Sequence, residues 1–572
     1  MTRQTGERSA MGRTARRIVR ERPQLLFLGC LLLHAAMPGA AQAQDIGPAP
    51  TIDRDRIDRQ EPGLPRPPRP AETPRPAVTV VPGAEAQAAT AAQAALTRVH
   101  YDGATLPVAT LDAATAPFIG QPLTRETLQN VANAVSETYA KSDIAFYSVA
   151  ILPQVPSGGE LRVSIVEGRI SEYTLANKSP SMPDRLIDAQ VQRLMRDKPV
   201  HKSTLERTLS LLRDIPGQTV EAGLKRTARP DELALDLNVK RKQVEITLNI
   251  NNNGVTNVTR GVQAQLGVTV NGLLREGDST RLSAYLPFTP SRYQFYSASH
   301  STPLGSNGTQ LSVNGAYVRT QTREGIKGDA RQIGVAITHP LIRSYRRNLM
   351  LSLSLDGTNS ENYYLDTAFG GFRTRALRAG GSWSSIDKTG GYAVSAVVSQ
   401  GLDALGAREI PEFSEASFRK VNLQLTAVKE IGKKFSIKAT SRAQYSRDIL
   451  PTTERFSLGG EGAGLAFNLG TITAESALAG GIEVSWQVLG ARSGSRGLAL
   501  FAYADGALAH TVARERYRLK AEDFSLASAG AGVRISPLKG WTASAQIAVP
   551  VKRPLDSYSE KARFFFSISK VG

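Results

Sequence analysis

Residues 349–356 read Leu-Met-Leu-Ser-Leu-Ser-Leu-Asp, so that Leu349, Leu351, Leu353 and Leu355 alternate with Met350, Ser352, Ser354 and Asp356. A period of two puts the leucines on one face of an extended chain and their neighbours on the other; a helix would mix the two sets around its axis. Val244, Ile246, Leu248 and Ile250 alternate in the same way with Gln243, Glu245, Thr247 and Asn249. Further strands are expected at Arg281 to Phe288, Val421 to Val428, Phe435 to Tyr445, Gly497 to Ala504, Trp541 to Val549 and Ala562 to Ser569. No apolar run here is long enough to cross a bilayer as a helix. Repetition over about 330 residues fits either a very large soluble β protein or a closed barrel with lipid outside and water inside. At about nine to eleven residues per membrane strand plus turns, the region holds about sixteen strands, and a lumen that wide leaks unless something fills it.

The N-terminus favours the barrel. Met1 to Arg22 is Arg-rich, Leu25 to Ala36 is apolar, and Ala41-Gln42-Ala43 supplies small residues for cleavage. Residues 1–43 therefore read as a secretory signal, too short to span a membrane. Phe27-Leu28-Gly29-Cys30 fits a lipoprotein site only loosely, because the longer apolar run follows the cysteine. Cleavage after Ala43 removes Cys30, the one cysteine, so the mature chain depends on buried surface and strand pairing rather than on disulfides. It also removes seven Arg and two Glu, leaving about fourteen of the nineteen net positive charges. Those charges are spread through strands and turns, as at Arg343, Arg346 and Arg347, without interleaved aromatics. That pattern suits a solvated rim and lumen and argues against a nucleic-acid partner.

Residues 44–95 form a preamble. Thr51 to Gln60 sets Asp53, Arg54, Asp55, Arg56, Asp58 and Arg59 around Ile52 and Ile57, a short helix that needs a wet, charged cavity to hold it. Glu61 to Pro82 is Pro-rich and reads as a semi-rigid tether. Two α/β units follow, at 96–172 and 173–240, each large enough for one small core. The first has strands at Thr97 to Tyr101, Phe146 to Leu152 and Glu160 to Glu167, with Leu161, Val163 and Ile165 facing inward. Its helix, capped by Thr124, presents Leu128, Val131, Ala132, Val135 and Tyr139 on one face. The second has a helix marked by Ile187, Val191, Leu194 and Met195, then another bearing Leu205, Leu209 and Leu212 behind a Ser203/Glu206 capping box. Leu233, Leu235, Leu237 and Val239 close it as a strand.

Phe118-Ile119-Gly120-Gln121-Pro122-Leu123-Thr124, Leu152-Pro153-Gln154, Gly159-Glu160-Leu161 and Val166-Glu167-Gly168-Arg169-Ile170 resemble the first POTRA domain of the two-partner secretion outer-membrane transporters, the haemolysin secretion type. Leu205-Glu206-Arg207 with Leu211-Leu212-Arg213-Asp214-Ile215-Pro216-Gly217 resembles the second, and Asn252-Asn253-Gly254, Gly261 and Gly277-Asp278 resemble the first barrel hairpin. The likeness runs collinearly over nearly the whole mature chain. It implies two α+β POTRA domains followed by a transmembrane antiparallel β-barrel at 241–572. Phe456-Ser457-Leu458-Gly459-Gly460 is similar to the start of the family's inward-folded loop, whose Val-Arg-Gly-Tyr/Phe tetrad falls here on Gly464, Leu465, Ala466 and Phe467. Only the aromatic is kept. The family's arginine pairs with an acid on the barrel wall, and Phe501-Ala502-Tyr503-Ala504-Asp505-Gly506 resembles that strand, making Asp505 the candidate acid. Without the arginine this carboxylate must stay hydrated, find another partner or become protonated. The last strand, with Phe564, Phe566 and Ile568 outward, ends Lys570-Val571-Gly572 rather than on an aromatic.

Other chemistry finds little footing. His100, His201, His300, His339 and His510 lack metal-ligand spacing, and a Ser299 nucleophile beside His300 has no orienting partner in the sequence. Gly460, Gly462 and Gly464 are not followed by Lys-Ser/Thr, so they read as a turn and not a phosphate loop. The expectation is a translocator with no catalytic, cofactor or metal residues, sitting in outer-membrane lipid after insertion by barrel-assembly machinery. The resemblance makes its client a secreted exoprotein, large and β-helical, captured by strand addition at Phe146, Tyr147, Val149, Pro153 and Gln154. The lumen loop is expected at Phe456, Gly459, Gly460, Leu465 and Phe467. The rival readings are a passive porin, which needs no periplasmic domains, and a barrel-assembly-type insertase.

Overall fold

The computed structural model describes residues 77–80 and 95–571, apart from 155–157, 179–183, 254–260, 323–324, 365–366, 411–412, 491–496, 539, 557 and 559–560. The expected signal at 1–43 and short charged helix at Thr51 to Gln60 lie outside these residues, as does most of the Pro-rich tether. Within the tether, Ala77–Val80 is a strand, β1.

The first α/β domain contains β2 (Arg98–Asp102), α1 (Val108–Thr115), α2 (Arg125–Lys141), β3 (Tyr147–Ile151) and β4 (Glu160–Glu167). Its sheet runs β1-β3-β4-β2, with β3 and β4 antiparallel and both outer pairs parallel. Thr124 caps α2 as the sequence predicts, its Oγ1 accepting from the Thr127 N–H at 3.2 Å. The five residues expected on the helix face are all buried, against Val149, Ile151, Leu161, Val163 and Ile165. Glu167 explains part of its motif: it accepts from the Thr105 N–H at 2.8 Å and from the Tyr139 hydroxyl at 2.6 Å, joining the lead-in to α1 with the end of α2. Burial, with that hydrogen bond to a carboxylate second, raises the Tyr139 pKa. Helix α1 has no clear period in the sequence and was not expected.

The second domain contains β5 (Arg169–Ala176), α3 (Arg185–Arg196), α4 (Lys202–Arg213), β6 (Gln218–Arg226) and β7 (Glu232–Arg241), in sheet order β5-β7-β6. The capping box does not form. Helix α4 begins one residue before Ser203, and its first turn is capped from the other domain: Asp143 accepts from the Ser203 N–H at 3.1 Å and from its hydroxyl at 2.6 Å. Lys202 Nζ returns the contact, donating at 2.8 Å to the Ala140 carbonyl at the C-terminal end of α2, where a cation is favoured. Burial lowers its pKa against the pull of Asp143 and Glu206. Phe146 inserts into the core of the second domain, beside Ile170, Val200 and Leu233. A Cβ on Gly168 would lie 2.7 Å from the Cβ of Phe146, so this elbow requires glycine. The two domains are thus welded.

From Val244–Asn251 to Arg563–Val571, sixteen strands form one closed antiparallel barrel, the last pairing with the first. The count and the alternation agree with the sequence: Leu351 and Leu353 are exposed on the outside, while Asp356 is buried on the inside. The second domain sits on one rim. Asp214 receives both Nε and Nη2 of Arg343, at 2.6 and 2.5 Å, and Arg207 Nη2 donates to the Pro340 carbonyl at 3.0 Å. Glu276 accepts from the Leu186 N–H at the start of α3 at 2.8 Å. Strand parity therefore sends the segment 446–475 out of the opposite rim.

Candidate functional site in the barrel lumen

The segment 446–475 folds back into the barrel as a hairpin in which Phe456–Leu458 pairs with Ile472–Ala474. Gly459 and Gly460 turn the chain beyond its first strand, and residues Ala463 to Phe467 pack on the barrel wall. The wall there is apolar, contrary to the expected wet lumen: Ala477, Ala479, Ala507, Ala509, Leu526 and Phe565 pack with Phe456, Leu458, Leu465 and Phe467. The small alanines leave room for the loop. Gly464 has φ +100°, and a Cβ would fall 2.1 Å from Leu526 Cδ1, so the tip tolerates no side chain at that position.

Asp505 finds its partner in the backbone. Its Oδ2 accepts from the N–H groups of Gly464 and Leu465, each at 3.0 Å, and Oδ1 accepts from the Ser528 hydroxyl. Two amides of the loop tip thus meet the carboxylate for which the resemblance led us to expect a guanidinium. The side chain of Leu465 packs in the apolar cluster and borders a cavity of about 630 Å³ shared with Glu461, Asp505 and Arg442. Replacing Leu465 by alanine should destabilise the folded-in loop by about 2–5 kcal/mol, the range for truncating a buried leucine. Leu465→Arg should cost less, because its guanidinium can enter the cavity beside Asp505 and Glu461. Protease protection of 456–467 across a thermal ramp would rank the two variants; arginine being the worse would refute this.

Two buried carboxylates hold the ends of the hairpin, and neither was singled out in the sequence. Glu454, two residues before the first strand, receives Arg378 Nη2 at 2.7 Å and Lys420 Nζ at 2.9 Å, and Arg378 also pairs with Asp356 at 2.8 Å. These four side chains are between 2 and 7 % exposed. Glu475, directly after the hairpin and fully buried, receives Arg455 Nε at 3.0 Å, Arg514 Nη2 at 2.6 Å and the Val512 N–H at 3.1 Å. Arg455 and Arg514 lie over the ring of Phe413 at 5.6 and 5.5 Å. That clasp ties three far-rim segments to one another. Asp356 was legible as a charge at an inward position of the 349–356 alternation; its partners were not.

The residues expected to bind a client are split. Phe146 and Val149 are buried in the two domain cores, and the Tyr147 hydroxyl donates to the Ser136 carbonyl at 3.0 Å. Gln154 exchanges two hydrogen bonds with the backbone of Arg162, at 2.7 and 2.8 Å. Only Pro153 among them is exposed. On its outer side the backbone of β3 pairs with β1, so the segment is not an open edge in this structure. His300 and His339 meet the hydroxyls of Thr280 and Thr309, at 2.9 and 2.8 Å.

A closed antiparallel barrel with a loop pinned in its lumen and two POTRA domains on one rim defines a POTRA-bearing outer-membrane β-barrel. The ShlB-type POTRA family matches residues 94–168, and the family "Haemolysin secretion/activation protein ShlB/FhaC/HecB" matches residues 233–535. The chain belongs to that haemolysin secretion/activation protein family. It is 22 % identical over 362 residues to the heme/hemopexin transporter protein HuxB of Haemophilus influenzae, an alignment covering 60 % of this chain and 63 % of HuxB. Its fold resembles CdiB from Escherichia coli, with a TM-score of 0.70 at 19 % identity over 84 % of this chain and 90 % of CdiB. CdiB from Acinetobacter baumannii gives 0.62 at 15 % identity over the same shares. BamA from Haemophilus ducreyi lacking POTRA domains 1–3 gives 0.50 at 13 %, over 84 % of this chain and all of that one.

Proposed function

We propose that this protein exports an unfolded exoprotein across the outer membrane, capturing it in the periplasm with its POTRA domains and threading it through the barrel. The observation that carries the reading is the docking of two α/β domains on the rim of a barrel whose lumen holds an inward-folded loop, which stays in place and shapes the path. Strand addition binds an extended chain through its backbone without demanding a particular sequence. The client is large and β-helical; folding outside the cell makes the exit downhill and blocks return. Barrel-assembly machinery inserts the chain.

A passive porin has no use for the two docked domains. Deleting Thr97–Lys240 is expected to abolish export of the partner exoprotein, while the barrel still reaches the outer membrane and keeps its heat-modifiable mobility in gels. Continued export by the deletion variant would end this reading. Joint loss of export and insertion would point instead to a role in assembly, which a POTRA exchange from a relative would then expose.

A further inference from the structure

On the outer face of the barrel a row of arginines stands without counterions. Arg331 of Lys327–Arg343 is paired with Asn359 of Arg347–Tyr364, and Asn359 with Arg373 of Thr367–Ile386. Arg373 is bridged in turn to Arg408 of the next far-rim loop. Residues paired across strands share a face, and this row has the parity of Leu353 and Leu377, which are exposed on the lipid side, while Thr374, Ala376 and Arg378 are buried within. Arg373 and Arg408 exchange backbone hydrogen bonds at 2.7 and 2.9 Å, so they stand directly opposite, where like charges repel. Arg331, Arg373, Arg375 and Arg408 make no ion pair with a carboxylate among the described residues.

Their height on the wall identifies what surrounds them. Trp383 and Tyr392 lie on the same outer face towards the near rim, the indole N–H donating to the hydroxyl at 3.3 Å. From Trp383 that face climbs past Ala379 and Leu377 to Arg373. At about 3.3 Å per residue and a tilt of about 40°, the stretch rises about 25 Å, the height of the apolar band of an outer-membrane barrel. Arg373 and Arg408 therefore stand at headgroup depth in the leaflet away from the POTRA domains. Arg375, one step lower, is already fixed in place. Its Nε donates to the Leu405 carbonyl at 3.1 Å and its Nη1 to the Thr374 carbonyl at 2.9 Å, while Nη2 has no protein partner among the described residues. Gly357 makes room for it, since a Cβ there would lie 3.0 Å from Arg375 Cδ. A guanidinium held this way loses little rotamer freedom on meeting a phosphate.

We infer that Arg331, Arg373, Arg375 and Arg408 bind the phosphate groups of a phosphorylated glycolipid in the outer leaflet. One phosphate between Arg373 and Arg408 offsets their repulsion, and the acyl chains lie along Val335, Leu355 and Leu377 below. Arg331 stands about 10 Å from Arg373, two strand spacings away, so the row suits a headgroup that carries two phosphates across a sugar better than a single phosphodiester. The exposed Asn359 between them faces that sugar. The inference rests on the outer-membrane placement in the export reading, which puts the far rim at the outer leaflet.

The test uses the full chain in detergent free of lipopolysaccharide, titrated with bisphosphorylated lipid A, with dephosphorylated lipid A and with phosphatidylglycerol, and read by native mass spectrometry. The native chain should bind bisphosphorylated lipid A at least about tenfold more tightly than a chain carrying Arg373→Gln, Arg375→Gln and Arg408→Gln, which lacks the charge-assisted contacts. The native chain should also prefer bisphosphorylated lipid A to either of the other lipids by a similar factor. Equal lipid A binding by native and variant chains overturns the inference, as does native binding of dephosphorylated lipid A or phosphatidylglycerol as tight as that of lipid A. Should the triple variant not fold, the three lipids on the native chain still decide. The export reading is tested by deleting Thr97–Lys240, which leaves this face of the barrel untouched, so the two can fail separately.

Discussion

Glu475→Ala is expected to destabilise the folded barrel by about 3–5 kcal/mol and to raise its single-channel conductance, because it leaves two buried guanidinium groups without their shared anion. Arg455 and Arg514 are 8 and 5 % exposed and both reach the same carboxylate oxygen, so they cannot recover the loss by turning to water. Worse, the two cations flank one Phe413 ring, and removing the charge between them leaves their repulsion unopposed at low dielectric. The position of Glu475 decides where the damage appears. It follows Ala474, the last residue of the lumen hairpin, and binds the Val512 N–H of the neighbouring far-rim loop, so its loss frees one leg of the hairpin. Glu475→Gln keeps the side-chain carbonyl acceptor and the volume but not the charge, and should fall between native and alanine. The temperature at which the heat-modifiable band disappears from gels reads the first effect, and planar-bilayer recordings read the second. A Glu475→Ala barrel with native mobility and native conductance would remove the clasp from any role in holding the loop.

Much of this molecule can be read from its sequence because its two architectures advertise different periods. The leucines of 349–356 alternate, and the structure puts Leu351 and Leu353 on the lipid side. The Leu128-to-Tyr139 face of α2 repeats at helical spacing, and it is the core. What the sequence conceals is pairing between distant segments. Arg378 and Glu454 are charges 76 positions apart, and nothing local says that they share a hydrogen bond. Asp143 caps a helix 60 residues away, so the sequence beside α4 points instead to Ser203, whose own hydroxyl is a donor there. Phe146 opens a strand that alternates as a client-facing edge would, but it lies at the junction, where the second domain closes over it. Ala77–Val80 is too short between prolines to register as a strand, and gains its definition from β3. The alanines opposite the loop carry a pattern, Ala477 and Ala479 alternating with the exposed Leu478, but small residues on an inward face signal a close neighbour without naming it.

Arg378→Met should produce the other large effect, and its logic separates the worth of a buried ion pair from the cost of breaking one. The guanidinium donates to Asp356 at 2.8 and 3.2 Å, to Glu454 at 2.7 Å and to the Ser399 hydroxyl at 2.7 Å, all inside the barrel. Methionine fills most of the volume but leaves two carboxylates facing the single cation of Lys420, and breaking such a pair from one side costs about 3–5 kcal/mol. Removing the whole set together, as Arg378→Met, Asp356→Leu, Glu454→Gln and Lys420→Met, should recover most of that stability, since well-packed apolar replacements of buried ions are often neutral. Specificity would not return with it. Glu454 stands two residues before Phe456, and its ion pairs with the strands Thr367–Ile386 and Arg419–Ile431 fix where the hairpin descends. The quadruple variant is therefore expected to melt near the native temperature while residues 456–467 lose protease protection. Were the quadruple variant to keep full protection, the charges would be dispensable for aiming the loop, and the hold would belong to Asp505 and the alanine-lined wall alone.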